Sequence, residues 1–110
     1  MNERDLLGRI KKLIKARAYR VRIHAVRHMV EEGFKESDMI EAITGKSKII
    51  ENYPDESRCL ILGYFLISEK VRSPLHLVCD YSKAEVVDLI TAYIPQKPWW
   101  LTPTTRGRTI

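Results

Sequence analysis

The hydrophobic pattern of this chain changes its period at residue 47, and this change constrains the fold more than any other feature. Before it, apolar residues recur three and four positions apart, as in helices with one side facing a core. After it the pattern is that of strands, and its strongest segment is the apolar run CLILGYFLI at residues 59–67. Such a run is typical of a strand buried on both faces. The chain is therefore predicted to be an α+β protein with its helices first.

Three helices are predicted before the change, over residues 3–16, 23–32 and 36–44. Gly33 and Gly45 follow the second and third helices as stop signals. On the second helix, one side is apolar and is predicted to face inward, and it carries Ile23, Val26, Met29 and Val30. The opposite side is polar and carries His24, Arg27, His28 and Glu31.

Three strands are predicted to pair antiparallel, at residues 58–67, 75–81 and 86–94, and SKIIENY adds a fourth strand-like segment. The simplest fold is one in which N-terminal helices pack on a four-stranded antiparallel β-sheet. Cys59 and Cys79 lie in apolar runs, which predicts buried free thiols, with a disulfide as the alternative.

The chain has 110 residues, which suits one domain. Residues 1–110 are predicted to form a single domain, with a basic helical arm at 1–22 and an irregular, Pro-rich tail at 95–110. Trp99 and Trp100 are expected near the domain edge, as a partner-docking patch or as simple packing on the sheet. No apolar stretch approaches membrane-spanning length and no signal-peptide core is present, so a cytoplasmic location without membrane contact is expected.

Basic residues are concentrated near the N-terminus, where residues 1–30 carry nine Lys and Arg against two acidic residues. Residues 31–60 reverse this balance, with four basic and eight acidic residues. The basic arm predicts binding of a polyanion such as RNA, through Lys11, Lys12 and Lys15. A solvated amphipathic helix, or a helix that meets an acidic partner, explains the same charges.

Two histidines, His24 and His28, share one helix face because they are four residues apart. A zinc site would need a third ligand, such as His76 or Asp80, and the glutamate of H-E-x-x-H is replaced by Ala25. We therefore predict no metal and no cofactor. Cleavage of RNA beside its 2′-hydroxyl needs only proton-transfer groups and cations. The candidates for proton transfer are His24, His28, His76 and Tyr93, and those for the cation are Arg22 and Arg27. Solvent-facing helix histidines and a structural His76 are the alternative.

A longer pattern resembles the family called domain of unknown function 4258. It runs as HAVRHMVEEG, then DMIEAITG, IIENYPD, SPLHLV and ITAYIP, and it spans about His24 to Trp99. His28 stands where the family usually has arginine, Glu32 stands where it often has a second basic residue, and Ser73 replaces the arginine or small residue before Pro-Leu-His. The family pattern is carried by His24, Ala25, Met29, Gly33, Asp38, Ala42, Gly45, Glu51, Tyr53, Pro54, Asp55, Gly63, Pro74, Leu75, His76, Thr91 and Tyr93.

This resemblance implies a fold similar to the RelE, ParE and BrnT group of toxins, with helices on a four-stranded antiparallel sheet. It implies that the chain is the toxin half of a toxin–antitoxin pair and a metal-independent endoribonuclease acting on mRNA. The implied partner is an antitoxin similar to zinc-finger and helix-turn-helix proteins. Together with the charge pattern, Arg22, Arg27, His28 and the three basic-arm lysines are predicted as the RNA-binding residues. A non-catalytic protein- or RNA-binding module of the same fold is the alternative, and neither hypothesis specifies an oligomeric state.

Overall fold

The computed structural model describes residues 2–97 and 99–107, so Pro98 and residues 108–110 of the predicted tail lie outside the described residues. The helices are α1 (Glu3–Lys15), α2 (Ile23–Glu32) and α3 (Glu36–Thr44). The strands are β1 (Tyr19–Val21), β2 (Lys48–Tyr53), β3 (Arg58–Ser68), β4 (Val71–Asp80), β5 (Val87–Tyr93), β6 (Trp100–Thr102) and β7 (Thr105–Arg106). A 3-10 turn at Pro54–Glu56 connects β2 to β3.

Five strands form the main sheet, in the order β1-β5-β4-β3-β2. The predicted antiparallel pairing of β3, β4 and β5 is confirmed. The predicted four-stranded antiparallel sheet is wrong, because β1 adds a fifth strand that runs parallel to β5. Parallel neighbours require a crossover connection. Here the chain leaves β1, passes through α2 and α3, and returns along β2, β3 and β4 before β5 is made.

Strand β1 lies within the segment RAYRVR, residues 17–22, which the sequence predicts to be a charged connector or a short extended piece. Its residues alternate: Tyr19 and Val21 pack against the helix-side core. Between them, Arg20 donates two hydrogen bonds to the Asp88 carboxylate of β5, at 2.7 and 3.0 Å. This pair lowers the pKa of Asp88. The strand is therefore held by a partner 68 residues away, which no local pattern reveals.

The helices cover one face of the sheet, and the core lies between the two layers. Cys59 and Cys79 face each other in this core as buried free thiols, as predicted. Burial raises the pKa of Cys59 to about 12, so it stays a neutral thiol. Helix α3 crosses β3 so closely that a Cβ built at Gly63 would overlap the backbone carbonyl of Ala42. Only glycine fits there.

Helix α2 turns a different side inward from the one that its apolar residues predict. Ala25 is its buried residue, whereas Ile23, Val26 and Val30 are exposed. The predicted inward side is therefore wrong for these three residues, whereas Met29 of the same side does pack against the core. The side that meets the sheet carries Ala25 and the polar Glu32, which accepts a hydrogen bond from the Ile94 amide beyond β5. Binding of this backbone amide fixes the rotation of the helix and leaves part of its apolar side in solvent.

Residues in the predicted irregular tail form a small hairpin, β6–β7, which we call the C-terminal hairpin. It lies against the sheet face that the helices leave open. Trp100 packs edge-on against His76 of β4, and Arg106 bonds Glu51 of β2. Among the residues that the structure describes, no helix has both the length and the apolar character that crossing a membrane requires.

Candidate functional site

Helix α2 ends in a histidine–carboxylate pair that is anchored to the end of β5. His28 Nδ1 lies 2.6 Å from Glu32 Oε2, one helical turn away. The other oxygen, Glu32 Oε1, accepts the backbone N–H of Ile94 at 2.9 Å. The carboxylate is thus held from two sides, and it holds the imidazole in turn. This is the arrangement by which an acidic residue orients a histidine for proton transfer.

The hydrogen bonding of this pair determines where the proton of a neutral His28 lies. A carboxylate only accepts hydrogen bonds. The Nδ1 atom of His28 therefore carries the proton and donates a hydrogen bond to Glu32. The second nitrogen, Nε2, then has its lone pair available. Within the described part of the chain, Nε2 of His28 has no hydrogen-bond partner. An oriented imidazole with an unengaged nitrogen is equipped to accept a proton from a bound molecule.

His76 lies on the open face of the sheet, opposite Tyr93 in the pairing of β4 with β5. The alternation along β4, with Leu75, Leu77 and Cys79 facing the helices, predicts that His76 lines the open, concave face of the sheet. In the structure the C-terminal hairpin covers this face and buries His76. Its Nε2–H donates to the Pro103 carbonyl at 2.7 Å, and its Nδ1 accepts the Tyr93 hydroxyl at 3.2 Å. Burial lowers the pKa of His76, so the ring is neutral near pH 7. Both nitrogens are therefore engaged within the protein.

Tyr93 lies between the two histidines. Its ring centroid is 5.2 Å from that of His76 and 6.3 Å from that of His28. Burial raises the pKa of Tyr93, so its hydroxyl keeps its proton at neutral pH. Tyr93 therefore brings two of the three predicted histidines into one cluster. The protonated hydroxyl is a donor that either neighbour, or a bound molecule, can use.

A cation reaches this cluster from the C-terminal hairpin. Arg106 makes two hydrogen bonds to the Glu51 carboxylate, both at 2.7 Å, and its guanidinium lies 4.7 Å from the ring centre of Trp100. The Arg106 hydrogen bond lowers the pKa of Glu51. Tyr53 donates its hydroxyl to the same carboxylate. This ion pair holds the C-terminal hairpin against β2. No other ion pair joins β7 to β2 among the described residues.

These groups surround a cavity of about 500 Å³, which we call the His28 cavity. Such a volume is within the range of small-ligand sites. The groups that line it include a proton-transfer pair, a phenol, a cation and two indoles. They are contributed by α2, β5 and the C-terminal hairpin, namely by His28, Glu32, Tyr93, Trp99, Trp100 and Arg106.

The other sequence-predicted site residues lie outside this cavity. His24 is exposed in the first turn of α2, one turn before His28, and Arg22 and Arg27 are exposed beside it. Two of the basic-arm lysines, Lys12 and Lys15, are exposed in the last turn of α1, where they complement the helix dipole. Lys11, the third of these lysines, donates a hydrogen bond from its ammonium group to the Gly45 carbonyl at 2.9 Å. The structure brings together His28, His76 and Tyr93 and leaves the rest dispersed.

Two residues of the cluster were absent from the sequence prediction. Glu32 has a local signal, since it follows His28 by four residues on a predicted helix and could have been paired with it. Arg106 has no such signal, because its place beside Glu51 depends on the path of the C-terminal hairpin. Over the residues that the structure describes, no group of three or more His, Cys, Asp or Glu side chains is arranged to hold a metal ion.

Comparison with known families gives one match. The family model described as Domain of unknown function (DUF4258) matches residues 22–94, which is well over half of the chain. No curated protein and no solved structure matches it. The matched region extends from the start of α2 to just beyond β5. It therefore includes the His28–Glu32 pair, His76 and Tyr93, whereas α1, β1 and the C-terminal hairpin lie outside it.

Proposed function

We propose a function that starts from one premise, namely that this chain belongs to the DUF4258 family. The proposed function is a metal-independent endoribonuclease related to the RelE, ParE and BrnT toxins, acting on mRNA in the cytoplasm as the toxin of a toxin–antitoxin pair. One observation carries the proposal. The His28–Glu32 pair lines a cavity with its Nε2 unengaged among the described residues, and a hydroxyl and a guanidinium line the same cavity.

The chemistry requires two proton transfers. His28 Nε2 takes the proton of a ribose 2′-hydroxyl, and the resulting oxygen attacks the adjacent phosphorus. The bond from phosphorus to the 5′-oxygen breaks, and a 2′,3′-cyclic phosphate forms. The departing oxygen needs a proton, which the neutral Tyr93 hydroxyl would give after releasing its hydrogen bond to His76 Nδ1. Solvent then returns a proton to Tyr93 and removes the one held by His28, so the protein is restored and no metal takes part.

Positive charge supports RNA as the substrate. The chain has a net charge of +5 and its first thirty residues are strongly basic. Exposed Arg27 lies next to His28 on α2, and Arg106 lines the cavity. Cations at these places attract a polyanion and stabilise the charge that develops on the phosphate. His28 itself stands where the resembling pattern usually has arginine, so Arg27 and Arg106 are the cations proposed to act on the phosphate instead.

A second candidate is a non-catalytic RNA-binding module, and one observation favours it. Both nitrogens of His76 are engaged, and the guanidinium of Arg106 is paired with Glu51. Arg106, which lines the cavity, and His76, which lies behind Tyr93, thus serve the structure. If the pairing of Arg106 persists in the complex, the phosphate receives less charge stabilisation, and the protein would hold RNA without cutting it.

The deciding experiment incubates the purified protein with end-labelled single-stranded RNA in excess EDTA. We expect cleavage that leaves 2′,3′-cyclic phosphate ends. The His28→Ala variant, purified in parallel, controls for contaminating ribonuclease. Val30→Ala changes an exposed residue of the same helix, and it controls for effects that any substitution in α2 would have on the purified protein. RNA that is bound but stays intact with the wild type would support the binding module instead.

The toxin role has its own test. Induction of the wild-type gene in a bacterial host is expected to arrest growth, and induction of His28→Ala is expected not to. Co-expression of the cognate antitoxin should restore growth. Equal growth arrest by both forms would separate toxicity from cleavage and would count against the endoribonuclease.

A further inference from the structure

Two adjacent tryptophans at the C-terminal hairpin have opposite surroundings. Trp100 is 5% exposed, because it packs on His76 and lies beneath the Arg106 guanidinium. Trp99 is 56% exposed, yet it also lines the His28 cavity. Packing therefore explains the position of Trp100, but it does not explain why the indole of Trp99 is exposed beside the cavity.

The backbone around Trp99 is held in place although its side chain is open. Its carbonyl accepts the Gly107 amide at 2.7 Å, and the next amide, that of Trp100, donates to the Gln96 carbonyl at 3.0 Å. These bonds fix where the indole is presented. A large aromatic surface that faces water is unfavourable by itself, and such residues are enriched where a partner is bound.

We propose that the His28 cavity receives one unpaired nucleobase of single-stranded RNA, and that this base stacks on Trp99. The inference rests on the proposed function, since it concerns the RNA that His28 would cleave. A base seated in the cavity places its own ribose at the mouth, where the 2′-hydroxyl meets His28. Stacking on an indole accepts every base because each has a π face, whereas bases in a duplex are already stacked.

The charges that line the cavity favour a neutral base over a phosphate. Glu31 and Glu32 both contribute carboxylates, and Arg106 is neutralised by Glu51. A phosphate deep in the cavity would meet these carboxylates, whereas a base carries no charge. Gln96 also lines the cavity, and its amide offers a donor and an acceptor for the edge of a base. The phosphates would then remain at the rim, on the side of the exposed Arg27.

The test measures binding apart from cleavage. A fluorescein-labelled 2′-O-methyl RNA octamer keeps its bases and phosphates but cannot be cleaved through its 2′-oxygen. Its affinity is followed by anisotropy for the wild type, Trp99→Ala, Trp99→Phe and Leu101→Ala. The last variant is the matched control, because Leu101 is 55% exposed in the same hairpin and does not line the cavity.

We expect Trp99→Ala to weaken binding by roughly 5- to 150-fold, the range for loss of one stacked base. Trp99→Phe should recover most of the affinity, and Leu101→Ala should bind as the wild type does. The dependence of affinity on salt should be the same for Trp99→Ala and the wild type, since stacking releases no counterions. An RNA duplex should compete poorly, and single-stranded DNA should bind through the same residue.

Three results would overturn the inference: equal binding by Trp99→Ala and Leu101→Ala, equal binding of duplex and single strand, or no binding by the wild type. These outcomes are separate from failure of the proposed function. Binding that depends on Trp99 without cleavage of ordinary RNA would remove the nuclease and keep the base site. Cleavage that is indifferent to Trp99 would keep the nuclease and remove the base site.

Discussion

His28 and His76 flank the same tyrosine, but their surroundings give them different capacities. His28 lies at the edge of α2, with one nitrogen bound to Glu32 and the other unengaged among the described residues. His76 lies under the C-terminal hairpin, with one nitrogen on a carbonyl and the other on the Tyr93 hydroxyl. The sequence offers both as catalytic. The comparison teaches that the partner of the second nitrogen distinguishes a histidine that can react from one that holds a fold together.

The two surroundings also differ in what would follow from protonation. A proton added to His28 would bind Nε2, and the positive charge of the ring would lie beside the Glu32 carboxylate that already contacts Nδ1. A proton added to His76 would be buried, and it would break the bond from the Tyr93 hydroxyl because both ring nitrogens would then be donors. The predictions that follow test this contrast in order of decreasing effect.

The largest expected effect is that of His28→Ala on cleavage. Removal of the proton acceptor should lower the rate by about 10²- to 10⁴-fold, the usual contribution of general acid–base catalysis. Stability should change by less than about 1 kcal/mol, because the ring is partly exposed and its contact with Glu32 is near the surface. Single-turnover cleavage and urea unfolding of the same preparation measure the two quantities. A large loss of stability would mean that His28, like His76, is a structural residue, and the difference between the two histidines would not hold.

The next effect is that of His76→Ala on stability. This substitution removes a buried ring and leaves the Pro103 carbonyl and the Tyr93 hydroxyl without their partner. We expect a loss of about 2 to 4 kcal/mol in the free energy of unfolding. His76→Gln keeps one donor and one acceptor and should lose less. Unfolding in urea, followed by circular dichroism, measures both. If His76→Ala instead unfolds as the wild type does, and loses cleavage, then His76 is the reacting histidine.

Glu32→Gln tests the carboxylate that orients His28. The amide keeps the size of the side chain but no longer secures the imidazole orientation, and we expect cleavage to fall on the order of 10²-fold, as for a misplaced catalytic group. Glu31→Gln is the matched control, because it removes the same charge from the same cavity without touching His28. Equal losses in the two variants would attribute the effect to charge rather than to orientation.

A smaller effect concerns pH. Burial lowers the pKa of His76, so below about pH 6.5 the unfolded chain takes up a proton that the folded protein refuses. The stability that depends on the neutral ring is therefore complete above the unfolded pKa and is lost as the pH falls towards the folded pKa. We expect the wild type to lose more stability than His76→Gln between pH 7 and pH 5, measured by urea unfolding. Parallel curves for the two proteins would contradict this.

The smallest effect is predicted for His24→Ala. His24 is exposed, one turn from His28, and outside the cavity. Cleavage should change by no more than about twofold, as for an ordinary surface substitution. A loss comparable to that of His28→Ala would mean that RNA engages the whole histidine face of α2, as the sequence spacing suggested.

Local patterns in the sequence were sufficient for much of the fold. The change of period at residue 47, the stops at Gly33 and Gly45, and the apolar run of β3 each depend on neighbours within a few residues. The pairing of β1 with β5 and the inward side of α2 depend on distant groups instead. The rotation of α2 follows from the bond between Glu32 and Ile94, which are 62 residues apart. No hydrophobic periodicity carries such information.

The candidate site, like the fold, has a part that local sequence patterns predict and a part that depends on distant residues. The sequence predicted that histidine, tyrosine and arginine side chains would supply the chemistry of the site. In the structure His28, His76 and Tyr93 do lie together. Which histidine has an unengaged nitrogen could not be predicted, because the hairpin that covers His76 pairs Trp100 with Arg106 at the far end of the chain. The sequence pattern of β4 places His76 on the open face but says nothing about what covers that face.

The parallel pairing of β1 with β5 has a consequence for how the chain folds during synthesis. Tyr19, Arg20 and Val21 leave the ribosome well before their partners Val87, Asp88 and Leu89, because 68 residues separate each pair. Until then, the first strand has no edge to join, and α1 has no complete surface to pack on. Closing so long a loop is slow and entropically costly. The sheet is therefore expected to close late, so that translation of most of the chain precedes the native fold.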